Sequence, residues 1–149
     1  AVVKGQRPEW AVQKLTEIGV DRIVPVLAAR SVVRWPLGES GAPLARLRRV
    51  AREAAMQSRR AWLPVVEGVT PFAAVAAEAG AALAHPGGGR PSLDRPVLLV
   101  GPEGGWDGEE LARGLPQVDL GPSVLRAETA AVVAGALLCA LRAGVVSPS

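Results

Sequence analysis

Cysteine and histidine each occur once in this chain, as Cys139 and His85. Cys139 has no second thiol to form an internal disulfide, which points to a reducing compartment, the cytoplasm by default. One histidine and one cysteine far apart in sequence make no zinc spacing, so no metal is expected. Long hydrophobic runs are also lacking. The longest apolar stretch, Ala130 to Leu141, is too short to span a bilayer and is bounded by Glu128 and Arg142; with no N-terminal signal pattern visible, a soluble chain without a membrane partner is expected. Neither a G-x-G-x-x-G fingerprint nor a P-loop spacing is present, which argues against a dinucleotide-dependent oxidoreductase on an α/β sheet. There is no internal repeat.

What the chain does have is two apolar runs that each end in a glycine loop. Val97 to Val100 runs into Gly101-Pro-Glu-Gly-Gly-Trp106, and Val118 to Leu120 runs into Gly121-Pro-Ser-Val-Leu-Arg126. Gly101, Gly104 and Gly105 lack a Cβ, so the first loop is free to take positive φ and let a ligand approach its backbone, while Pro102 fixes φ and removes one donor. Asp107-Gly-Glu-Glu110 reads as a helix start, with Asp107 as N-cap and Glu110 at N3 of a capping box. The site therefore falls at a strand-to-helix turn, where open α/β sheets bind ligands. Glu103 is a poor neighbour for phosphate and favours a neutral or cationic ligand, such as a sulfonium cofactor with ribose hydroxyls and an adenine edge.

Along the chain, helical and extended patterns alternate. Glu9 to Ile18 reads as an amphipathic helix with Trp10, Leu15 and Ile18 turned inward, stopped by Gly19 in the left-handed conformation. Arg22 to Leu27 reads as a strand in which Pro25 marks an edge or an end. A Gly/Pro-rich loop over residues 35 to 43 precedes a basic helix of roughly Leu44 to Arg59, and a short strand follows at Leu63 to Val66. Thr70 as N-cap with Pro71 at the first helical position opens a helix through about Ala79. The strand Ala81 to Ala84 then leads into a loop from Pro86 to Pro96. This order predicts an α/β fold: a mostly parallel sheet with helices on both faces. At 149 residues, 49% of them hydrophobic, the chain has material for one domain. Thr129 to Leu141 is apolar around nearly its whole circumference, which predicts burial on most sides, as a core helix or a dimer interface.

Charge is unevenly placed. Residues 1 to 60 hold twelve Lys and Arg against five Asp and Glu, a balance of +7; residues 61 to 149 hold five against nine, a balance of −4. Arg46, Arg48, Arg49, Arg52, Arg59 and Arg60 fall in the predicted basic helix, read either as a solvated face or as a surface that neutralises RNA phosphates.

Five motifs in order carry a family resemblance: Lys14-Leu-Thr-Glu-Ile-Gly-Val20 with Ile23-Val-Pro25, Glu53-Ala-Ala-Met-Gln-Ser-Arg59, Gly101-Pro-Glu-Gly-Gly105, Leu120-Gly121, and Leu125-Arg-Ala-Glu-Thr-Ala130. Over nearly its whole length the chain resembles the catalytic domain of the RsmE family, SPOUT-class methyltransferases acting on N3 of a uridine in small-subunit ribosomal RNA. Trp106 stands where that family usually has Phe, and Ala127 where it usually has Thr. The resemblance implies a single SPOUT methyltransferase domain over residues 1–149 whose C-terminal segment threads a deep trefoil knot. It also implies a homodimer, S-adenosyl-L-methionine as cofactor, and ribosomal RNA of the small subunit as partner. The family's PUA-like RNA-binding domain would precede Ala1-Val-Val-Lys4, so residues 1–149 are expected to hold the methyltransferase domain without it.

The implied cofactor contacts are Val100, Gly101, Pro102, Glu103, Gly104, Gly105, Leu120, Gly121, Val124, Leu125, Arg126, Glu128, Thr129 and Ala130, with His85 and Pro86 as one wall. Arg46, Arg49, Arg52, Gln57, Arg59 and Arg60 are the implied RNA contacts. Arg126 and Glu103 are the catalytic candidates: in-line transfer to a nitrogen needs alignment above all, and a cation such as Arg126 would stabilise the developing uracil oxyanion. Each residue also has a plainer reading. Glu103 is a loop carboxylate satisfied by nearby amides; Arg126 pairs with Glu128 or Glu103; Glu128 and Thr129 cap the last helix; Gln57, Ser58 and Arg59 end a helix and nothing more. His85 as a general base is the less favoured reading beside a pocket wall. Two other functions stay open: a methyltransferase for another RNA base, and a module that binds RNA or cofactor without turnover.

Overall fold

The computed structural model describes residues 1–39 and 41–147. In chain order the elements are α1 (Arg7–Ile18), β1 (Arg22–Ile23), β2 (Val26–Leu27), α2 (Ala42–Gln57), β3 (Val65–Val66), β4 (Thr70–Pro71), α3 (Phe72–Ala76), β5 (Ala81–Gly89), β6 (Val97–Leu99), α4 (Gly108–Leu111), β7 (Gln117–Val118) and α5 (Ala127–Arg142). All strand pairs in the sheets are parallel: β1 with β3, β2 with β4, and β5 between β6 and β7. The predicted parallel α/β arrangement with flanking helices is what forms. No helix among the described residues is long and apolar enough to cross a membrane.

Several boundaries differ from the sequence expectation, each for a local reason. The strand expected over Arg22 to Leu27 is split at Pro25, which has no N–H to give; its carbonyl still accepts from Thr70 N at 2.9 Å, so the chain passes from partner β3 to partner β4. Thr70 and Pro71 pair with Val26 and Leu27 rather than opening a helix, and α3 starts at Phe72 with Pro71 as an uncapped N-cap. Strand β5 runs on to Gly89, where a loop was expected. His85 to Gly88 bulge out of the ladder, and Gly89 re-enters it opposite Val118. This return requires glycine at 88, where a Cβ would lie 2.5 Å from the backbone of Gln117.

Helix α1 ends as expected at Gly19, φ 104°. Leu15 and Ile18 turn inward as expected, half-buried against Gly135 of α5, but the fully buried positions are Ala11, Val12 and Thr16, and Trp10 stands 44% exposed on the flank toward α2. Helix α2 stops at Gln57, before the predicted Arg59. Arg59 takes φ 54° and Arg60 N reaches back to Ala55 O at 2.9 Å, a Schellman-type ending. The core has two clusters. Val12, Leu44, Leu47, Ala51 and Val66 join α1 and α2 to β3; Val26, Phe72, Val75, Leu83, Leu99 and Trp106 join α3 to the sheets.

Helix α5 is not buried on most sides. Ala127, Ala130, Ala134 and Gly135 are buried, while Val132, Val133, Leu137 and Leu138 remain partly exposed. Packing against α1 covers one stripe of a helix that is apolar all round. Cys139 sits half-buried on α5, and burial pushes its thiol upward, away from the reactive thiolate.

Candidate active site

Because β6, β5 and β7 are parallel, their carboxyl ends meet at one edge. The chain leaves β5 for the neighbour on one side and crosses to the neighbour on the other, which is where open sheets form a ligand crevice. Three segments gather there: the bulge after Ala84, the glycine loop after β6, and the loop from Asp119 to Arg126.

The glycine loop folds on itself through Gly105 N to Pro102 O at 2.8 Å, with Gly105 at φ 71°, a conformation costly for any side chain. Gly104 O accepts from Arg30 Nη1 at 2.9 Å. Trp106 anchors the loop's far end: it is 5% exposed, its ring lies 5.3 Å from that of Phe72, and its indole N–H donates to Ala84 O at 3.1 Å. The larger ring in place of Phe thus ties the loop to the end of β5. The capping box forms as expected, Asp107 accepting from Glu110 N at 2.7 Å and Glu110 accepting from Asp107 N at 3.0 Å. The second Glu110 oxygen takes Ala29 N at 2.8 Å, so this buried carboxylate also fastens the loop after β2.

Asp119 ties the bulge to the last loop. It accepts from Gly87 N at 2.9 Å and Gly121 N at 2.8 Å, and these amides, Gly121 first, hold its carboxyl below the usual range. His85 sits in the bulge with Nδ1 2.9 Å from Pro86 O, beside Pro86 and Gly87 at the same edge. Leu120 and Leu125 are half-buried around the loop, and Val124 is 95% exposed.

Arg7 is the residue that sequence reasoning missed. Its guanidinium hydrogen-bonds to Glu103 and lies 3.7 Å from Glu128, joining the glycine loop to the first turn of α5. This corrects the expectation that Arg126 pairs with either carboxylate. Arg126 is exposed, and its side chain makes no hydrogen bond or ion pair among the described residues. It is the N-cap of α5, without a side-chain cap, so the helix begins at Ala127 and Glu128 and Thr129 do not cap it. One signal pointed toward Arg7: an arginine beside Pro8 at the start of a helix whose later residues carry the first family motif.

Of the expected RNA contacts, Arg52, Gln57 and Arg59 are exposed and unpaired among the described residues, while Arg46 and Arg49 are exposed with pairings to Glu9 and Glu53 at 3.2 and 3.9 Å. Arg60 corrects the expectation. Its side chain is 9% exposed and donates to Thr16 O and Val20 O at 2.9 and 3.0 Å, closing the end of α1. Arg48 is likewise engaged, with Val66 O at 3.0 Å and with Glu39. Among the described residues no group of three His, Cys, Asp or Glu is placed to hold a metal ion.

A parallel sheet whose carboxyl edge carries three loops, glycine-rich and pinned by carboxylates, defines an α/β cofactor-binding domain. The chain belongs to the RNA methyltransferase domain family, whose model matches residues 1–139. Within it the chain resembles proteins named ribosomal RNA small subunit methyltransferase E: it is 40% identical to that of Mycobacterium bovis over 90% of this chain and 58% of that protein, and 33% identical to that of Bacillus subtilis over 88% and 60%. The chain thus spans about three fifths of the length of these curated relatives. Two solved structures agree: a methyltransferase E from Neisseria gonorrhoeae bound to S-adenosyl methionine, with TM-score 0.78 and 30% identity over 94% of this chain and 64% of that one, and a probable rRNA methyltransferase from Porphyromonas gingivalis, with TM-score 0.80 and 34% identity over 98% and 67%.

Proposed function

We propose that this chain transfers the methyl group of S-adenosylmethionine to N3 of a uridine in small-subunit ribosomal RNA. The observation that carries the reading is the pairing of a pinned glycine loop with an unpaired arginine at one sheet edge. The residues suit such a cofactor: the loop offers backbone groups and no phosphate-binding cluster, Arg7 is already engaged by Glu103 and Glu128, and Leu120, Val124 and Leu125 supply apolar surface for an adenine. The bound cofactor supplies a methyl carbon on a sulfonium. The chain's part is alignment, through loops held by Trp106, Glu110 and Asp119. Arg126, with no partner to neutralise it, is the group to stabilise negative charge on a uracil oxygen as N3 loses its proton.

A homodimer belongs to the same reading, supported by the partly open apolar face of α5, and sedimentation of the chain at the mass of two copies is the expected result. The deep trefoil knot of α5 belongs to it as well, supported by the neighbours that match almost the whole chain.

The test pairs ligand binding with turnover. The melting temperature should rise with S-adenosylmethionine and S-adenosylhomocysteine and not with NAD or ATP, reflecting a stabilisation of about 2.7 kcal/mol at 100 times the dissociation constant. Arg126→Ala should keep that shift while methylation of a small-subunit rRNA fragment falls roughly 100-fold or more. Binding without methyl transfer by the unaltered chain would make it a cofactor-binding module; transfer to another base would reassign the substrate.

A further inference from the structure

Helices α1 and α2 flank an open groove of about 950 Å³. On α1, Trp10 and Gln13 lie three residues apart on the groove side; on α2, Arg46, Arg49 and Gln57 share a face. Arg7 lines one end, and its bond to Glu103 makes that end continuous with the glycine loop.

Trp10 is the informative member. It is 44% exposed, its indole N–H makes no hydrogen bond, and its ring meets no other ring or cation among the described residues. Trp62, which is 61% exposed, contrasts with it: that indole donates to Asp21 at 3.3 Å and its ring lies under Arg60. The side-chain amides of Gln13 and Gln57 are also without hydrogen bonds among the described residues, so each keeps two donors and an acceptor for a ligand. A flat aromatic face and unused amides match an unstacked nucleotide, a π-face for the base and polar groups for its edge; for its phosphates the rim offers Arg46 and Arg49, which stay exposed although each lies beside a groove carboxylate, Glu9 at 3.2 Å and Glu53 at 3.9 Å.

We infer that the groove between α1 and α2 binds a single-stranded segment of RNA, with a base stacked on Trp10 and its edge met by Gln13 and Gln57. This rests on the reading of the chain as an RNA methyltransferase and deepens it. The basic helix attracts the backbone; the groove selects RNA whose bases are splayed out and leads one end of the strand toward the loop that holds Glu103. A duplex keeps its base faces stacked and cannot use the platform.

The experiment uses the 149-residue chain, a labelled uridine-rich single strand and a duplex of equal length, read by fluorescence anisotropy, with S-adenosylmethionine binding measured by calorimetry on each variant. Trp10→Ala should weaken single-strand binding roughly tenfold or more. Trp10→Phe should retain most of the affinity, and Trp62→Ala should behave as the unaltered protein. Duplex and cofactor binding should not change with Trp10→Ala. Single-strand binding that survives Trp10→Ala overturns the groove and leaves the RNA reading standing, as does a chain that prefers the duplex. Failure of the unaltered chain to bind either RNA, with cofactor binding intact, removes the RNA reading and the groove together.

Discussion

Arg59 occupies backbone space that glycine takes at little cost. Its φ of 54° closes the Schellman ending of α2, a conformation that costs an L-residue about 1 kcal/mol or more. Its side chain is exposed and unpaired among the described residues, so nothing in the fold compensates for that cost. Arg59→Gly should therefore raise stability by about 0.5–1 kcal/mol in denaturant unfolding, the gain trimmed by the freer unfolded chain. The same variant should bind RNA less tightly if the arginine is held there for its charge; gain of stability without loss of affinity would make the position merely tolerated. Asp119 gives a second residue-level test. Its carboxyl is held below the usual range by the amides of Gly121 and Gly87, so its contribution to stability is complete above the unfolded-state value and disappears as pH falls through the lower folded value. Melting of Asp119→Asn should trail the unaltered chain by a constant margin from about pH 5 to 7, and the gap should begin to narrow near about pH 4 and close as pH falls through the lower folded value. A gap that stays constant into acid would place the effect in shape rather than charge.

At the scale of elements, the site is a set of ties between strand ends, and their strength is measurable. Arg7 couples α1 to the loop after β6 and to α5, but it and Glu103 are well exposed, so that pair by itself contributes under about 1 kcal/mol. Glu128 is different: its side chain is 12% exposed and one of its oxygens is buried without a partner. Arg7→Met should thus cost about 1–2 kcal/mol, through a carboxylate left without its cation, and adding Glu128→Gln should restore about half. Equal melting of single and double variants would show that the two do not interact. The glycine loop and the capping box at Asp107 and Glu110 were legible because turn and cap chemistry is local. So was the alternation that yields parallel strands. The path of β5 was not: His85-Pro86-Gly87-Gly88 has a loop's composition, and only the approach of β7 to Gly88 makes it a bulge that re-enters the sheet. Trp10 was misplaced for a similar reason. Periodicity identifies an apolar face, yet Ala11, Val12 and Thr16 take the interior and leave the largest ring on the flank. The pairing of Arg7 was not legible, because its partners lie 96 and 121 positions away and its place at the start of a helix says nothing of them.

For the whole molecule, charge separates the two kinds of binding proposed for it. The basic excess of residues 1 to 60 looks uniform in sequence, but the fold draws it apart: Arg48 and Arg60 are spent on carbonyls and carboxylates of their own chain, and Arg46, Arg49, Arg52 and Arg59 are left exposed on or next to α2. If these four meet phosphates of a single strand, the logarithm of affinity should fall with the logarithm of salt with a slope near −3, from about 0.7 per phosphate neutralised. Replacing Arg52 and Arg59 together by alanine should flatten that slope by about 1.4, because two fewer counterions are displaced. Trp10→Ala should lower affinity at every salt concentration and leave the slope unchanged, since stacking displaces no counterions. Cofactor binding at the sheet edge should be nearly indifferent to salt, its loops being built from backbone amides and carbonyls. Anisotropy titrations between 50 and 300 mM salt decide the matter: an unchanged slope in the double variant would put the phosphate track elsewhere, and a slope that falls with Trp10→Ala would make the groove part of that track.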